Sequence, residues 1–274
     1  MNYRHAFHAG NFADVFKHAV LLALMEALQA AVPALQVIDS HAGAGIYDLA
    51  GDEARRTGEA AAGISKAEVA GDQPPSIAAL LGAVLRLNGG KPGTLYPGSP
   101  WLIADALRPA DRYTGFELRD DDFALLRRSV AAFAGADAVQ GDGWQALTLR
   151  PPRQGAASLL LIDPPYEGGD DGLRAAALTR RAMMLQLRSC VAIWTPIKDL
   201  ASFDVLRSEV EDRAGGAPVL CAQLRLRPLT DPMRLNGCAM LIAGAPAGVE
   251  ARLSQVAAWC ARALGEPGAV GLAD

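Results

Sequence analysis

Cysteine is scarce and scattered in this chain. Cys190, Cys221, Cys238 and Cys260 stand too far apart for a C-x-x-C site, and three lie in apolar surroundings. They read as buried thiols rather than as a disulfide framework or a zinc site. Histidine is absent after position 41: all four lie at His5, His8, His18 and His41. No apolar run is long enough to span a bilayer. The polar and aromatic first residues do not read as a signal peptide, so a cytoplasmic protein is expected. Positive charge is not in excess either. Lys and Arg number 26 against 30 Asp and Glu, a formal net charge of −4. That excludes a surface basic all over but leaves room for a local basic patch, so nucleic acid stays open as a partner. No heptad seam or evident self-association patch marks an oligomer, and a monomer is expected.

The composition is that of an ordinary globular protein, 51% hydrophobic and 20% charged over 274 residues. This length suits an α/β domain carrying an insertion. Asn11 followed by Asp14 has the form of a capping box, and the apolar pattern behind it predicts a helix to about Ala30. Segments 36–39 and 158–162 read as buried strands; 113–117, 137–140 and 191–195 are further strand candidates. Helical patterns lie at about 119–134, 142–148 and 172–188. The alternation predicts a mainly parallel sheet covered on both faces. VLCAQLRLRP and GCAMLIAGAP predict a closing antiparallel pair. In open α/β sheets a ribose-holding acid follows the first glycine-rich strand by about 20 residues. Here the best candidate, Glu117, stands 78 positions after Asp39. Residues 49–94 are therefore expected to form an inserted helical subdomain, with 1–48 and 95–274 making up the main domain.

The strongest chemical motif is Asp163-Pro164-Pro165-Tyr166, directly after a buried strand. Ligands of open α/β sheets bind outside the carboxyl ends of the strands. A proline pair there fixes φ and removes two backbone donors. The Asp163 carboxylate and the Pro164 carbonyl can then both accept from one amino group, while Tyr166 offers a flat face to a base. This set suits an exocyclic amine on a heteroaromatic ring. Two acceptors favour a pyramidal nitrogen, which frees its lone pair to attack a methyl group in line. The bland alternative is a Pro-Pro turn that merely ends a strand.

Residues 38–45, IDSHAGAG, supply a second motif, with Gly43 and Gly45 allowing close approach of a ligand to the backbone. Asp48 stands where a dinucleotide fingerprint has its third glycine, so the G-x-G alone is weak. Glu117 ends the next strand and could hold two ribose hydroxyls. Asp142 ends the following one and could accept from an adenine amino group. Helix N-capping is the alternative for each acid, most readily for Asp142. Three such strand ends followed by D-P-P-Y form the layout of an S-adenosylmethionine methyltransferase.

With residues 3–11 (YRHAFHAGN), Ala13-Asp14-Val15, Lys17-His18, Asp39 to Gly45, residues 96–100 (YPGSP), Glu117-Leu118, Asp142-Gly143 and residues 163–167 (DPPYE), the sequence resembles the RlmJ-type 23S rRNA (adenine-N6)-methyltransferases. The resemblance runs through nearly the whole chain. It implies a Rossmann-like class I S-adenosylmethionine-dependent fold with a mainly parallel seven-stranded sheet and a small helical insertion. It implies that His18, His41, Gly43, Ser99, Glu117, Asp142, Gly143 and Asp163 line the cofactor pocket, with Asp163 the catalytic acceptor beside Pro164 and Tyr166. It also implies that Tyr3, His5 and Lys17 face the RNA. Residues 1–18 are expected to fold back over the strand ends, where Arg4 and Lys17 would contact phosphate and Tyr3 or His5 would stack near the target base.

Three rivals are weighed. A DNA adenine-N6 methyltransferase would use the same D-P-P-Y, but the insertion is small for a target-recognition domain. A nicotinamide oxidoreductase lacks its third glycine. A non-catalytic RNA-binding module would not need the acidic set. The clustered histidines suggest a metal, yet no carboxylate or cysteine set at matching spacing completes one, and none is expected.

Overall fold

In a computed structural model, which describes residues 4–153, 156–185, 189–231 and 233–274, a 3-10 turn at His5–Phe7 precedes α1 (Phe12–Ala31). Asn11 caps that helix, its side chain accepting from the Asp14 N–H at 2.9 Å. The box is only half made: the Asp14 carboxylate turns instead to the Gly10 N–H, at 2.9 Å. Then come β1 (Leu35–Asp39), β2 (Ile46–Asp48) and the helices α2 (Asp52–Thr57), α3 (Glu59–Ala62), α4 (Ile64–Val69) and α5 (Pro75–Leu87). β3 (Leu95–Pro97), α6 (Ser99–Asp105), β4 (Arg112–Glu117), α7 (Asp120–Val130) and β5 (Ala136–Gln140) follow. A 3-10 turn at Gly143–Gln145 leads to α8 (Ala146–Leu149), β6 (Ala157–Ile162), α9 (Asp171–Leu185) and β7 (Ser189–Ile197). The chain closes with α10 (Leu200–Arg213), β8 (Val219–Arg225), β9 (Gly237–Ala243), α11 (Glu250–Leu264) and β10 (Val270–Ala273).

Among the described residues the main sheet has eight strands, ordered β10-β8-β9-β7-β6-β1-β4-β5. The pairs around β1 are parallel, and those from β7 through β9 and β8 to β10 are antiparallel. The expected seven-stranded sheet is thus one strand short. The extra strand, β10, adds to the outer edge of β8, where backbone pairing rather than an apolar pattern holds Val270-Gly271-Leu272-Ala273. β6 shows why its sequence is an unbroken apolar run. Leu159 and Leu161 enter the core on one face, Leu160 and Ile162 that on the other. α1 covers the first face and is buried nearly all round, touching β9 and α11 as well as α3 to α6. α9 and α10 cover the second. Four helices, α2 to α5, lie between β2 and β3, and those two strands pair antiparallel with each other.

Asp111, at the foot of β4, fastens the sheet's lower edge. Its buried carboxylate accepts from Leu35 N at 2.8 Å, Arg108 N at 3.0 Å and the Gln29 amide at 2.9 Å, and its Oδ1 lies 2.9 Å from an Arg108 guanidinium nitrogen. Burial opposes the charge, but these donors hold the carboxyl down at about 2. A carboxyl lowered in the folded state adds stability that is whole above its unfolded value and lost as pH falls through the folded one. Asp111→Asn is therefore expected to cost about 2 kcal/mol at pH 7. The gap from the parent should close as melts are repeated toward pH 2.

Candidate active site

The chain runs outward from β1 through β4 to β5, then returns to the other side of β1 as β6. The crevice at that reversal is where an open α/β sheet binds its ligand. Asp39, Glu117, Asp142 and Asp163 all stand at the carboxyl ends of these strands or just beyond.

Asp163 is reached from α1. Lys17 Nζ lies 2.7 Å from Asp163 Oδ2 and 3.0 Å from Asp14 Oδ1, with the lysine side chain only 6% exposed. On its other side the Asp14 carboxylate receives His5 Nε2 at 2.9 Å. Burial would strip the Lys17 charge, but the two carboxylates keep its ammonium protonated well above the usual lysine range. Burial also works against the Asp14 charge, yet His5 and Lys17 hold its carboxyl well below the usual carboxylate range. The expected phosphate contact of Lys17 is thereby corrected. Its ammonium is enclosed between two carboxylates at the floor of the site, and it faces Asp163 instead.

Beside this ion group, Asp39 is wholly buried and accepts from Ser99 Oγ at 2.8 Å and Tyr113 Oη at 3.4 Å. Burial pushes its carboxyl up to about 7, with nearby Asp163 adding to the rise against the Ser99 bond. His41 is held by Ser40, whose hydroxyl donates to the Leu161 carbonyl at 3.0 Å and lies 2.8 Å from His41 Nδ1. A hydroxyl has one proton, so His41 Nδ1 is the donor to it and Nε2 is left as an acceptor. Burial lowers His41 to about 4, so the ring is neutral at pH 7. The Gly43 N–H donates to Glu117 Oε2 at 3.0 Å and the Arg119 N–H to Oε1 at 2.8 Å, fixing that carboxylate at the crevice rim. Gly43 has φ +68°, and a Cβ there would meet the Tyr47 hydroxyl at 2.4 Å.

Asp142 realises the capping alternative: its side chain accepts from Trp144 N at 3.0 Å at the head of the 3-10 turn. Its other oxygen is 3.8 Å from an Arg174 guanidinium nitrogen, and that guanidinium lies 4.6 Å over the Trp144 ring. His41 meets the same ring edge-on at 4.6 Å. Trp144, Arg174 and Asp14 were not among the expected site residues. For Asp14 the i,i+3 spacing to Lys17 is the signal, and the helix cap formed with Asn11 masks it.

His18 turns away from the helix surface into the protein. Its Nδ1 is 2.9 Å from the Tyr96 hydroxyl, while Nε2 is buried with no hydrogen-bond partner among the described residues. Burial lowers it to about 3. A buried ring nitrogen left over beside the Lys17 ion group fits a site that takes a polar ligand.

Pro164 is buried and Tyr166 half-buried. Tyr166 adopts φ +51°, and its hydroxyl donates to the Trp194 carbonyl at 2.6 Å, so the phenol is tied to β7. Arg4 and Lys17 both reach groups at or beyond the carboxyl ends of strands, Asp121 and Asp163. Arg4 is exposed, 3.1 Å from Asp121 and 3.5 Å from Glu53, while His5 packs edge-on to Tyr47. The expected contact of Tyr3 lies outside the described residues. The four histidines go to Asp14, Glu59, Tyr96 and Ser40. No group of three or more His, Cys, Asp or Glu able to hold a metal occurs among the described residues, nor any helix long and apolar enough to cross a membrane.

Residues 32–273 match the family model for ribosomal RNA large subunit methyltransferase D, RlmJ. The sequence is 31% identical over 265 residues to ribosomal RNA large subunit methyltransferase J of Escherichia coli, covering 94% of this chain and 92% of that protein. It is 30% identical over 271 residues to the Haemophilus influenzae protein of the same name, covering 96% and 94%. A crystal structure of a Legionella pneumophila protein superposes with a TM-score of 0.88 at 23% identity, covering 97% of this chain and 98% of that one.

Proposed function

The chain belongs to the RlmJ family of ribosomal RNA large subunit methyltransferases, and from that footing we propose that it transfers the methyl group of S-adenosylmethionine to N6 of an adenine in 23S rRNA. The observation that carries this reading is the placing of Asp163, in D-P-P-Y, at the crevice with its carboxylate held by a buried lysine. A carboxylate so held, followed by a proline carbonyl, can accept both hydrogens of one aromatic amine.

When bound, S-adenosylmethionine supplies an electrophilic methyl group on a sulfonium leaving group. Glu117, fixed by two backbone N–H groups, would accept from a pair of ribose hydroxyls. His18 Nε2, His41 Nε2 and Ser99 lie on the elements that surround the same crevice. Gly43 holds Glu117 through its N–H, and Gly143 lets the turn after β5 pack on the Ser40 carbonyl. Asp163 and the Pro164 carbonyl would orient the target amine and expose its lone pair, and Asp163 takes a proton during or after transfer. Tyr166 would stack on the base. Much of the rate then comes from holding nitrogen, methyl and sulfur in line. An adenine inside a duplex cannot reach such a crevice, so the target base is unpaired or flipped out. Arg4 and His5, at the rim, would meet the RNA. Residues 49–94 form, in this reading, a helical insertion that braces α1 and the N-terminal block.

The test is transfer of labelled methyl to separate 23S rRNA, 16S rRNA and DNA, with nucleoside mass spectrometry of the products. N6-methyladenine is expected in 23S rRNA; label found only in DNA would overturn the assignment.

A further inference from the structure

Asp14 is placed to do more than cap a helix. Its side chain is 3% exposed and receives three donors: the Gly10 N–H at 2.9 Å, His5 Nε2 at 2.9 Å and Lys17 Nζ at 3.0 Å. Lys17 is shared, because the same ammonium lies 2.7 Å from Asp163. The consequence is electrostatic. A lone buried ammonium against Asp163 would fix its orientation but also depress its affinity for a proton and weaken it as an acceptor. A second carboxylate on the far side of the same ammonium offsets that field and leaves the orientation.

We propose that Asp14 is a positioning residue for methyl transfer: it aims Lys17 at Asp163 and offsets the lysine charge, so that Asp163 is held in place and remains a good acceptor. The proposal rests on the reading of Asp163 as the acceptor of the target amine. Several charged or titratable groups face this ion group. His5 comes from the N-terminal turn, Lys17 and His18 from α1, and Glu59 from α3. Tyr96 comes from β3, Asp39 from β1, His41 from the turn after it, Asp163 from the end of β6 and Cys238 from β9. Asp14 and Asp163 are the two that touch Lys17.

The experiment measures single-turnover methylation of 23S rRNA against pH, with enzyme in excess, for the parent, Asp14→Asn, Lys17→Gln and the double variant. Thermal melts and S-adenosylmethionine titrations run alongside. Asp14→Asn places the unshared lysine charge on Asp163. Its rate is expected to fall about tenfold, and the acid limb of its profile to move about one pH unit lower, since a tenfold change corresponds to one unit. Cofactor affinity should stay within a few-fold of the parent. If the limb of a folded Asp14→Asn protein coincides with that of the parent, Asp14 has no such role. Should Asp14→Asn alone not fold, the double variant decides, because a neutral buried pair is tolerated better than a charge left without its partner. With the lysine charge gone, Asp14 still bears on Asp163 in Lys17→Gln but not in the double variant, so the acid limb of Lys17→Gln should lie the higher of the two; coincident limbs overturn the proposal. Loss of activity in Asp163→Ala together with a parental Asp14→Asn profile would sink the role of Asp14 alone. Near-parental turnover in Asp163→Ala would sink the reading beneath it.

Discussion

Asp163→Ala is expected to lower the methyl-transfer rate by on the order of 1,000-fold or more while leaving S-adenosylmethionine binding within a few-fold of the parent. The split between the two readouts follows from the surroundings of the carboxylate. Asp163 stands after β6, at the end of the crevice that Lys17 closes from below. The pocket residues proposed for the cofactor are anchored elsewhere: Glu117 by the backbone of Gly43 and Arg119, and Ser99 on Asp39. Removing Asp163 leaves those bonds in place. It also leaves Lys17 with Asp14, so the buried ammonium keeps a counter-charge and the fold should survive. Radiolabel transfer and isothermal titration on one preparation provide the check. A variant that binds cofactor and still methylates at near-normal speed would end the case for Asp163 as acceptor.

Gly143→Ala is expected to be the most damaging single methyl group in the molecule. A Cβ there would stand 1.6 Å from the Ser40 carbonyl oxygen and 2.6 Å from its carbon. Both sides of the clash are backbone, so no side chain can rotate out of the way. The turn after β1 and the turn after β5 would have to part. Overpacking costs typically 1–3 kcal/mol, and two stiff turns put this case at the upper end or beyond. The parting displaces Ser40 and His41 on one side and Asp142 on the other. Cofactor affinity should therefore fall by on the order of 100-fold, about 2.7 kcal/mol. Gly141→Ala is the control, since a Cβ at that site would find its nearest neighbour, Leu149, at an ordinary 3.4 Å. Equal melting and binding losses in the two variants would contradict the argument.

Much of this architecture could be read from sequence because its cause is local. A strand covered on both faces, such as β6, must be apolar at every position, and 158–162 is. An acid placed at a strand end shows in the sequence next to the strand that carries it, as with Glu117 and Asp142. The 78 positions between Asp39 and Glu117 signal extra chain there, and α2 to α5 occupy part of it. The features that stayed hidden depend on partners far away in sequence. β10 is a strand only because the outer edge of β8 is there to pair with it. The pairing of β2 with β3 joins segments separated by four helices. Lys17 is the sharpest case. A lysine on an apolar helix reads as a head reaching for water. Asp163, 146 residues on, holds it inward together with Asp14. Asp14 is the opposite case: its local capping pattern holds and is a sufficient explanation by itself, so it conceals the contact with Lys17.

α1 also sets the order of events during synthesis. The helix is buried on nearly every face, yet α11, one of the elements that covers it, begins at Glu250. The bond from the Trp259 indole to the Gly71 carbonyl spans 188 residues. At elongation rates of roughly 5–20 residues per second, α1 leaves the ribosome some tens of seconds before that cover exists. Over that interval an apolar helix stays in contact with water or with a chaperone, and until Asp163 is made its Lys17 has Asp14 alone of the two carboxylates that touch it. Lys17 then meets Asp163 well before the last cover arrives, so the charge cluster can form while one flank of the helix is still bare.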